Sequence, residues 1–174
     1  LQDIHNIQEL PTFEEVQKKK KAFNRAFVLI STNMNPFKGK TLIQGHAGRF
    51  VVQYPPPVPP SQKILDSYYD LPFVREPHPS YASSGGIRGF ETVRFSLIAH
   101  RGCAGECSFC SLSLHQGRMI QSRSEASILK EAGLMIRNKN FKGTITDVGG
   151  PTSNLYDSYC PKWEKKGTCP ERKC

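Results

Sequence analysis

No uninterrupted apolar run in this sequence approaches the ~20 residues that a bilayer span requires, and mean hydropathy is −0.47. A secretory leader is missing as well, since residues 1 to 24 are polar and then strongly basic. Together these absences point to a soluble chain working in the cytoplasm, without a membrane partner. An initiating methionine is also missing. The chain opens on Leu1 and stops at Cys174 inside a cysteine-rich stretch, so a fragment with missing sequence on both sides is expected. What is present is ordinary for a globular protein: 174 residues, 37% of them hydrophobic, enough for one domain with its own core.

The formal net charge is +9, from 24 basic and 15 acidic residues. Along the chain the excess is even, at +4 over residues 1–90 and +5 over residues 91–174. Only Lys18 to Lys21 forms a basic run, which a solvated helix face explains. A nucleic-acid partner therefore stays open on charge, with no motif to support it.

Residues 11–31 read as a helix. Thr12 and Glu15 have capping-box spacing, and Val16, Phe23, Phe27 and Ile30 share a face. Arg49 to Tyr54 reads as a strand running into five prolines within residues 55–60, where neither helix nor central strand is tolerated. That stretch is expected to be extended and semi-rigid, as a connector or as a ligand for a proline-reading domain. Ser61 to Tyr69 suits a short helix, and Pro72 to Gly89 a loop. Beyond Glu91, Thr92–Ala99 is strand-like, with Val93, Phe95, Leu97 and Ala99 on one face and Ile98 on the other. A loop follows from His100 to about Gln121. Ser122 and Glu125 repeat the capping-box spacing before a helix with Ile128, Ala132, Met135 and Ile136 on one face, and Gly143–Val148 is a second strand. Strand, loop, helix and strand make one βαβ unit of an α/β fold, in which chemistry gathers at the carboxyl ends of parallel strands. The cysteine loop and the pair Gly149-Gly150 both fall at such ends. The domains expected are an N-terminal segment 1–54, a connector and loop 55–90, and an α/β part 91–174.

Six cysteines without a secretory signal suggest metal ligands or catalytic thiols more than disulfides. Cys103, Cys107 and Cys110 form a C-x3-C-x2-C pattern. Three thiolates so close can hold three corners of a cuboidal iron–sulfur cluster, leaving the fourth iron open for a substrate or cosubstrate. Electron-carrying ferredoxins use four cysteines per cluster. Two other readings stay open: a zinc site completed by His100 or His115, and a redox dithiol of Cys107 and Cys110 that would leave Cys103 unexplained.

The C-x3-C-x2-C spacing with Phe109 before the last cysteine resembles the signature of the radical S-adenosylmethionine (SAM) superfamily. The surrounding segments resemble its YgiQ-type branch. These are His100-Arg-Gly-Cys103, Cys107-Ser-Phe-Cys110, His115-Gln-Gly-Arg118, Ile120-Gln-Ser-Arg-Ser-Glu125 and Asp147-Val-Gly-Gly-Pro-Thr152, with Leu10 to Glu15, Tyr54-Pro-Pro and His78-Pro-Ser-Tyr81 upstream. The likeness covers almost the whole chain. Glu106 departs from it, standing where a small residue is common.

The resemblance implies the opening of a partial (β/α) radical SAM barrel behind a family-specific N-terminal segment. It implies a [4Fe–4S] cluster on Cys103, Cys107 and Cys110 with S-adenosyl-L-methionine on the open iron. One electron from a reductant would cleave that cosubstrate to methionine and a 5′-deoxyadenosyl radical, which takes hydrogen from an unknown substrate. Gly149 and Gly150 match the glycine-rich motif that meets the cosubstrate's amino group, although they suit an ordinary turn equally. The motif's usual acidic position is Pro151 here. Arg101 and Arg118 are either counter-cations for the cluster or plain surface arginines. Cys160, Cys169 and Cys174 are too loosely spaced to assign. The alternative class is a non-catalytic iron–sulfur or zinc module, with or without nucleic acid as its partner.

Overall fold

The computed structural model describes residues 6–105, 107–150 and 154–169. In chain order its elements are β1 (Ile7–Glu9), α1 (Phe13–Lys18), α2 (Lys20–Thr32), β2 (Thr41–His46), β3 (Arg49–Gln53), α3 (Gln62–Tyr69) and a 3-10 turn (Pro79–Ser84). There follow α4 (Phe90–Val93), β4 (Ser96–Ile98), β5 (His100–Arg101), α5 (Leu112–Gln116), β6 (Gln121–Ser122), α6 (Glu125–Ile136), β7 (Asp147–Gly149) and α7 (Trp163–Lys166). These belong to two compact units, each built from separate stretches of chain. The first is Leu1–Pro59 with Ala104–Met119 and Tyr159–Cys174; the second is Pro60–Cys103 with Ile120–Ser158. The chain first changes unit within the proline run.

In the first unit, β1 pairs parallel with β2, and β2 pairs antiparallel with β3 from Leu42↔Gln53 to His46↔Arg49. The turn between β2 and β3 is Ala47-Gly48, both with positive φ (46° and 76°), the geometry that a two-residue hairpin requires. The Ala47 N–H donates to Glu14 Oε1 at 2.8 Å, and that bond holds the Glu14 carboxyl below its ordinary pKa. The expected capping box is present. Thr12 Oγ1 accepts from the Glu15 N–H at 3.2 Å and Glu15 Oε2 accepts from the Thr12 N–H at 3.1 Å. The single helix expected over residues 11–31 is instead broken at Lys19, whose backbone is extended (φ −126°, ψ 112°). The break resets the helical phase. Ala26 becomes the buried residue of α2, while Phe23 and Phe27 lie exposed.

In the second unit, β4 and β7 pair in parallel, with Ser96↔Asp147, Leu97↔Val148 and Ile98↔Gly149, and α6 lies between them in sequence. This is the α/β unit that the sequence predicts. Its core is Phe95, Leu97 and Met135, backed by Ile128, Ala132, Phe141 and Ile145. Phe95 meets the edge of Phe141 at 5.2 Å between ring centres. Burying a side chain such as Met135 fully is worth about 1.5–3 kcal/mol.

Boundaries shift within this unit. Phe90–Val93 is helical, so Val93 leaves the expected strand face and lies exposed, and β4 is only three residues long. The second strand begins at Asp147, after the expected 143–148 run is mostly spent as loop. The cap of α6 is Ser124, whose Oγ accepts from the Ser127 N–H at 3.1 Å; Ser122 lies in β6 instead. Ile128, Ala132 and Met135 face inward, but Ile136, one residue further round the helix, is exposed. Helix α3 begins on Ser61 as expected and lies against β6 and α6, burying Leu65. Among the described residues no helix is long and apolar enough to cross a membrane.

Candidate metal centre

The parallel register sets the end of β4 and Gly149 at the same edge of the β4–β7 pair, as expected of a site at strand carboxyl ends. From that edge the chain continues through β5 to Gly102, which adopts φ 85°, a left-handed conformation that suits glycine. Cys103 follows and is buried. The remainder of the cysteine loop belongs to the first unit, where the Cys110 N–H donates to the Cys107 carbonyl at 3.0 Å across a tight turn. Cys107 is exposed, Cys110 half-buried, and Phe109 between them 91% exposed. Glu106 lies outside the described residues, as do Pro151 and Cys174. Helix α5 ends at Gly117, and the chain re-enters the second unit at Ile120.

Within the second unit the base of this loop is closed by a short ladder. β5 and β6 pair antiparallel, His100↔Ser122 and Arg101↔Gln121, and the Arg123 N–H donates to the Ala99 carbonyl at 2.9 Å. The segment after β7 is fastened to the same base. Tyr156 Oη donates to the Arg123 carbonyl at 2.9 Å, and the Asp157 N–H donates to Ser122 Oγ at 2.8 Å.

Among the described residues, no three His, Cys, Asp or Glu side chains converge into a group that could hold a metal ion. Convergence in thiolate sites is coupled to metal uptake, because the thiols give up their protons and gather only as the metal binds. The donor set itself fits an iron–sulfur cluster: three soft sulfur ligands within eight residues, on irregular chain with a turn between the last two.

The glycine pair divides into two different positions. A Cβ on Gly150 would lie 2.2 Å from the His100 ring, so that glycine is required by the imidazole packed against it. A Cβ on Gly149 would meet only the Asp147 carboxylate, at an ordinary 3.6 Å, while the Gly149 carbonyl accepts from the Ala99 N–H at 2.6 Å. His100 is 1% exposed, and neither ring nitrogen has a hydrogen-bond partner among the described residues. Burial pushes its pKa down and keeps the ring neutral. It lines a cleft of about 390 Å³ with Gly149, Val148, Leu129, Glu125 and Tyr156.

Of the two proposed counter-cations, Arg118 reaches Thr168 Oγ1 at 3.3 Å and the Cys169 carbonyl at 3.0 Å, which ties the cysteine loop to the second cysteine-bearing segment inside the first unit. Arg101 is half-buried in β5. Cys160 and Cys169 are half-buried and unbridged.

Sequence reasoning passed over Arg123, Glu131 and Arg75. Glu131 is buried on the stripe of α6 that also carries Ser127 and Met135, each four residues apart. A carboxylate at that spacing on an apolar stripe calls for a buried cationic partner, and this was the available signal. Its two oxygens receive Arg123 Nη1 at 2.5 Å and Arg75 Nη2.

Residues 2–96 match the family described as Radical SAM N-terminal, and the chain belongs to that family. Curated relatives extend the likeness through the cysteine loop. A "UPF0313 protein" of Clostridium botulinum is 49% identical over 166 residues, covering 95% of this chain and 26% of its own length. One of Methanocella arvoryzae is 45% identical over 172 residues (99% of this chain, 28% of its own), and one of Thermotoga petrophila is 47% identical over 161 residues (92% and 28%). The chain thus spans about a quarter of the length of the curated relatives it matches. No solved structure matches it.

Proposed function

We propose that this chain is the cofactor-loading part of a radical SAM enzyme and the opening of its partial (β/α) barrel. Cys103, Cys107 and Cys110 hold a [4Fe–4S] cluster, and the backbone at Gly149 and Gly150 meets S-adenosyl-L-methionine. The carrying observation is that Cys103 follows closely on the strand whose end shares an edge with Gly149 in a parallel βαβ unit, with Cys107 and Cys110 next along the same loop in sequence. Bound there, the cluster supplies the electron that cleaves the cosubstrate reductively. The chain's own residues do the rest. Cys103, held buried behind Gly102, fixes one corner, and the turn between Cys107 and Cys110 presents the other two. Val148, Leu129 and Ile128 wall the neighbouring cleft with apolar surface. The reductant and the substrate enter from outside this chain, and the substrate's identity rests with the rest of the protein.

The test is anaerobic reconstitution of the full-length protein with iron and sulfide, followed by reduction with S-adenosyl-L-methionine. A brown protein with about four irons that releases 5′-deoxyadenosine supports the reading, and serine at any of the three cysteines should abolish both. A colourless protein holding stoichiometric zinc would sink it in favour of a non-catalytic module.

One observation favours a nucleic-acid substrate or partner as a second reading. The charge that is even along the sequence is uneven in the fold. Among the described residues the first unit carries twelve basic side chains against four acidic (Glu9, Glu14, Glu15 and Glu164), whereas the second carries ten against eight. Lys18 to Lys21, Arg25, Lys38, Lys40 and Arg49 are all exposed, with Phe23, Phe27, Phe50 and Tyr54 exposed in the same unit. Basic side chains interleaved with exposed aromatics suit single-stranded nucleic acid.

A further inference from the structure

Arg123 is the largest fully buried side chain described, at 1% exposure, and all of its N–H groups are spent. Nε donates to Ser127 Oγ at 3.2 Å. Nη2 donates to Ser127 Oγ at 2.9 Å and to the Ser127 carbonyl at 3.0 Å. Nη1 donates to Glu131 Oε2 at 2.5 Å and to the Ile98 carbonyl at 2.9 Å. Cζ of the guanidinium lies over the Tyr69 ring, 3.9 Å from its centre. Its backbone N–H takes the next carbonyl along, that of Ala99.

Position gives these bonds their meaning. Ile98 ends β4 and Ala99 joins it to β5, which leads into Cys103, and Arg123 itself follows directly on the strand that leaves the cysteine loop. One residue therefore grips both chains at the loop's base, its backbone and guanidinium on the entering chain and its own Cα on the leaving one. A buried Arg–Glu–Arg group is a poor device for stability alone, since an apolar side chain of similar volume would fill the space without desolvating charge. An apolar side chain would not donate to Ile98. Lysine would lack both the fork and the flat face that stacks on Tyr69.

We propose that Arg123 is a positioning residue for the iron–sulfur cluster. By clamping residues 98–99 to residue 123, it holds Cys103 where iron is to be met. Glu131 is the second part of the clamp, orienting Nη1, and Arg75, its other partner, donates to the Arg94 and Ser96 carbonyls at the start of β4 and not to residues 98–99. This inference rests on the cluster reading given above.

The experiment uses the full-length protein, reconstituted anaerobically, and follows the rate at which a strong chelator strips its iron, alongside thermal unfolding of the metal-free form and the EPR line shape of the reduced cluster. Arg123→Lys should release iron at least about tenfold faster than wild type, the scale seen when groups supporting metal ligands are lost, with an altered EPR line shape. Arg75→Lys should lower the unfolding temperature while leaving release rate and line shape unchanged. Should Arg123→Lys fail to fold, Glu131→Gln decides: release several-fold faster supports the clamp, and release at the wild-type rate overturns it. The inference also fails if Arg123→Lys loses stability but keeps the wild-type release rate, or if Arg75→Lys accelerates release equally. Wild-type protein that takes up no cluster defeats the underlying reading and this inference together, an outcome distinct from loaded protein whose variants behave alike.

Discussion

Replacing Gly150 by alanine places a methyl group 2.2 Å from His100 Cε1, 2.3 Å from Nε2 and 2.5 Å from Nδ1. Ordinary contact between such atoms begins near 3.4 Å, so the overlap is about 1 Å on three ring atoms at once. The obstacle is a ring with 1% exposure, not the free end of a flexible side chain, so relief must come from backbone movement at the edge of β4 and β7. Overpacking of this kind costs about 1–3 kcal/mol. At roughly 4–8 °C per kcal/mol for a domain under about 100 residues, Tm should fall by about 5–20 °C. Gly149→Ala is the internal comparison. Its methyl would find only the Asp147 carboxylate at 3.6 Å and would meet no positive φ, so stability should stay within about 1 kcal/mol of wild type. His100→Ala opens the space that the methyl needs. The double variant His100→Ala/Gly150→Ala should therefore lose less than the sum of the two singles, a coupling that thermal or urea unfolding of all four proteins measures. Equal stability of Gly150→Ala and Gly149→Ala would refute the packing of His100 on Gly150. If the glycine backbone also meets the cosubstrate, Gly149→Ala should weaken S-adenosyl-L-methionine binding with the fold intact.

Burial lowers the pKa of His100, so as pH falls the unfolded chain takes up that proton before the folded one does. Stability is then complete above about pH 6.5 and declines below it. Glu125 and Tyr156 line the same cleft, so the readout is the difference in urea midpoint between wild type and His100→Gln at about pH 5 and pH 7.5; parallel pH profiles would refute it. Ser124→Ala should cost α6 about 1 kcal/mol through its lost cap, whereas Ser122→Ala removes only the acceptor for the Asp157 N–H; equal stability of Ser124→Ala and wild type in urea would place the cap elsewhere. If single-stranded nucleic acid binds the first unit, log Kd should rise with log salt, and Lys20→Gln/Lys21→Gln should reduce that slope by about two, as measured by fluorescence anisotropy. An unchanged slope would remove those lysines from the interface.

How far the fold was legible depended on whether a signal was local. The Thr12–Glu15 box, the Ser61 cap and the stripe of Ile128, Ala132 and Met135 are written within single turns of chain, and all are present. The break at Lys19 is not local in this sense. Nothing in Lys18-Lys19-Lys20 opposes a helix, and the docking of α1 against β2, with Glu14 fastened to Ala47, belongs to distant chain. Within α2 it is Ala26 that is buried, while Phe23 and Phe27 lie exposed. β1 and β2 escaped notice because three or six residues of mixed polarity carry a weak period-two signal. The interleaving of chain stretches in the two units, and with it the uneven charge, has no sequence-local trace at all.

The candidate site divides along the same line. A candidate ligand is a particular kind of atom at a short spacing, a pattern that Cys103, Cys107 and Cys110 show within eight letters. What gathers around Arg123 at the loop's base is spread over three elements: a serine and a glutamate four residues apart on α6, a tyrosine ending α3, and the Ile98 carbonyl at the end of β4, with the Ala99 carbonyl next to it. Backbone carbonyls have no letter, so a side chain serving them looks like any surface arginine until the fold is seen. The physical demand behind the arrangement is nonetheless simple. Among the described residues between β5 and β6 only the short helix α5 is regular, so the loop's order draws on side-chain bonds such as those of Arg118 to Thr168 and Cys169 as well as on the two chains at its base. The β5–β6 ladder joins only two residue pairs there, and Arg123 adds a backbone bond to Ala99 and a guanidinium bond to Ile98.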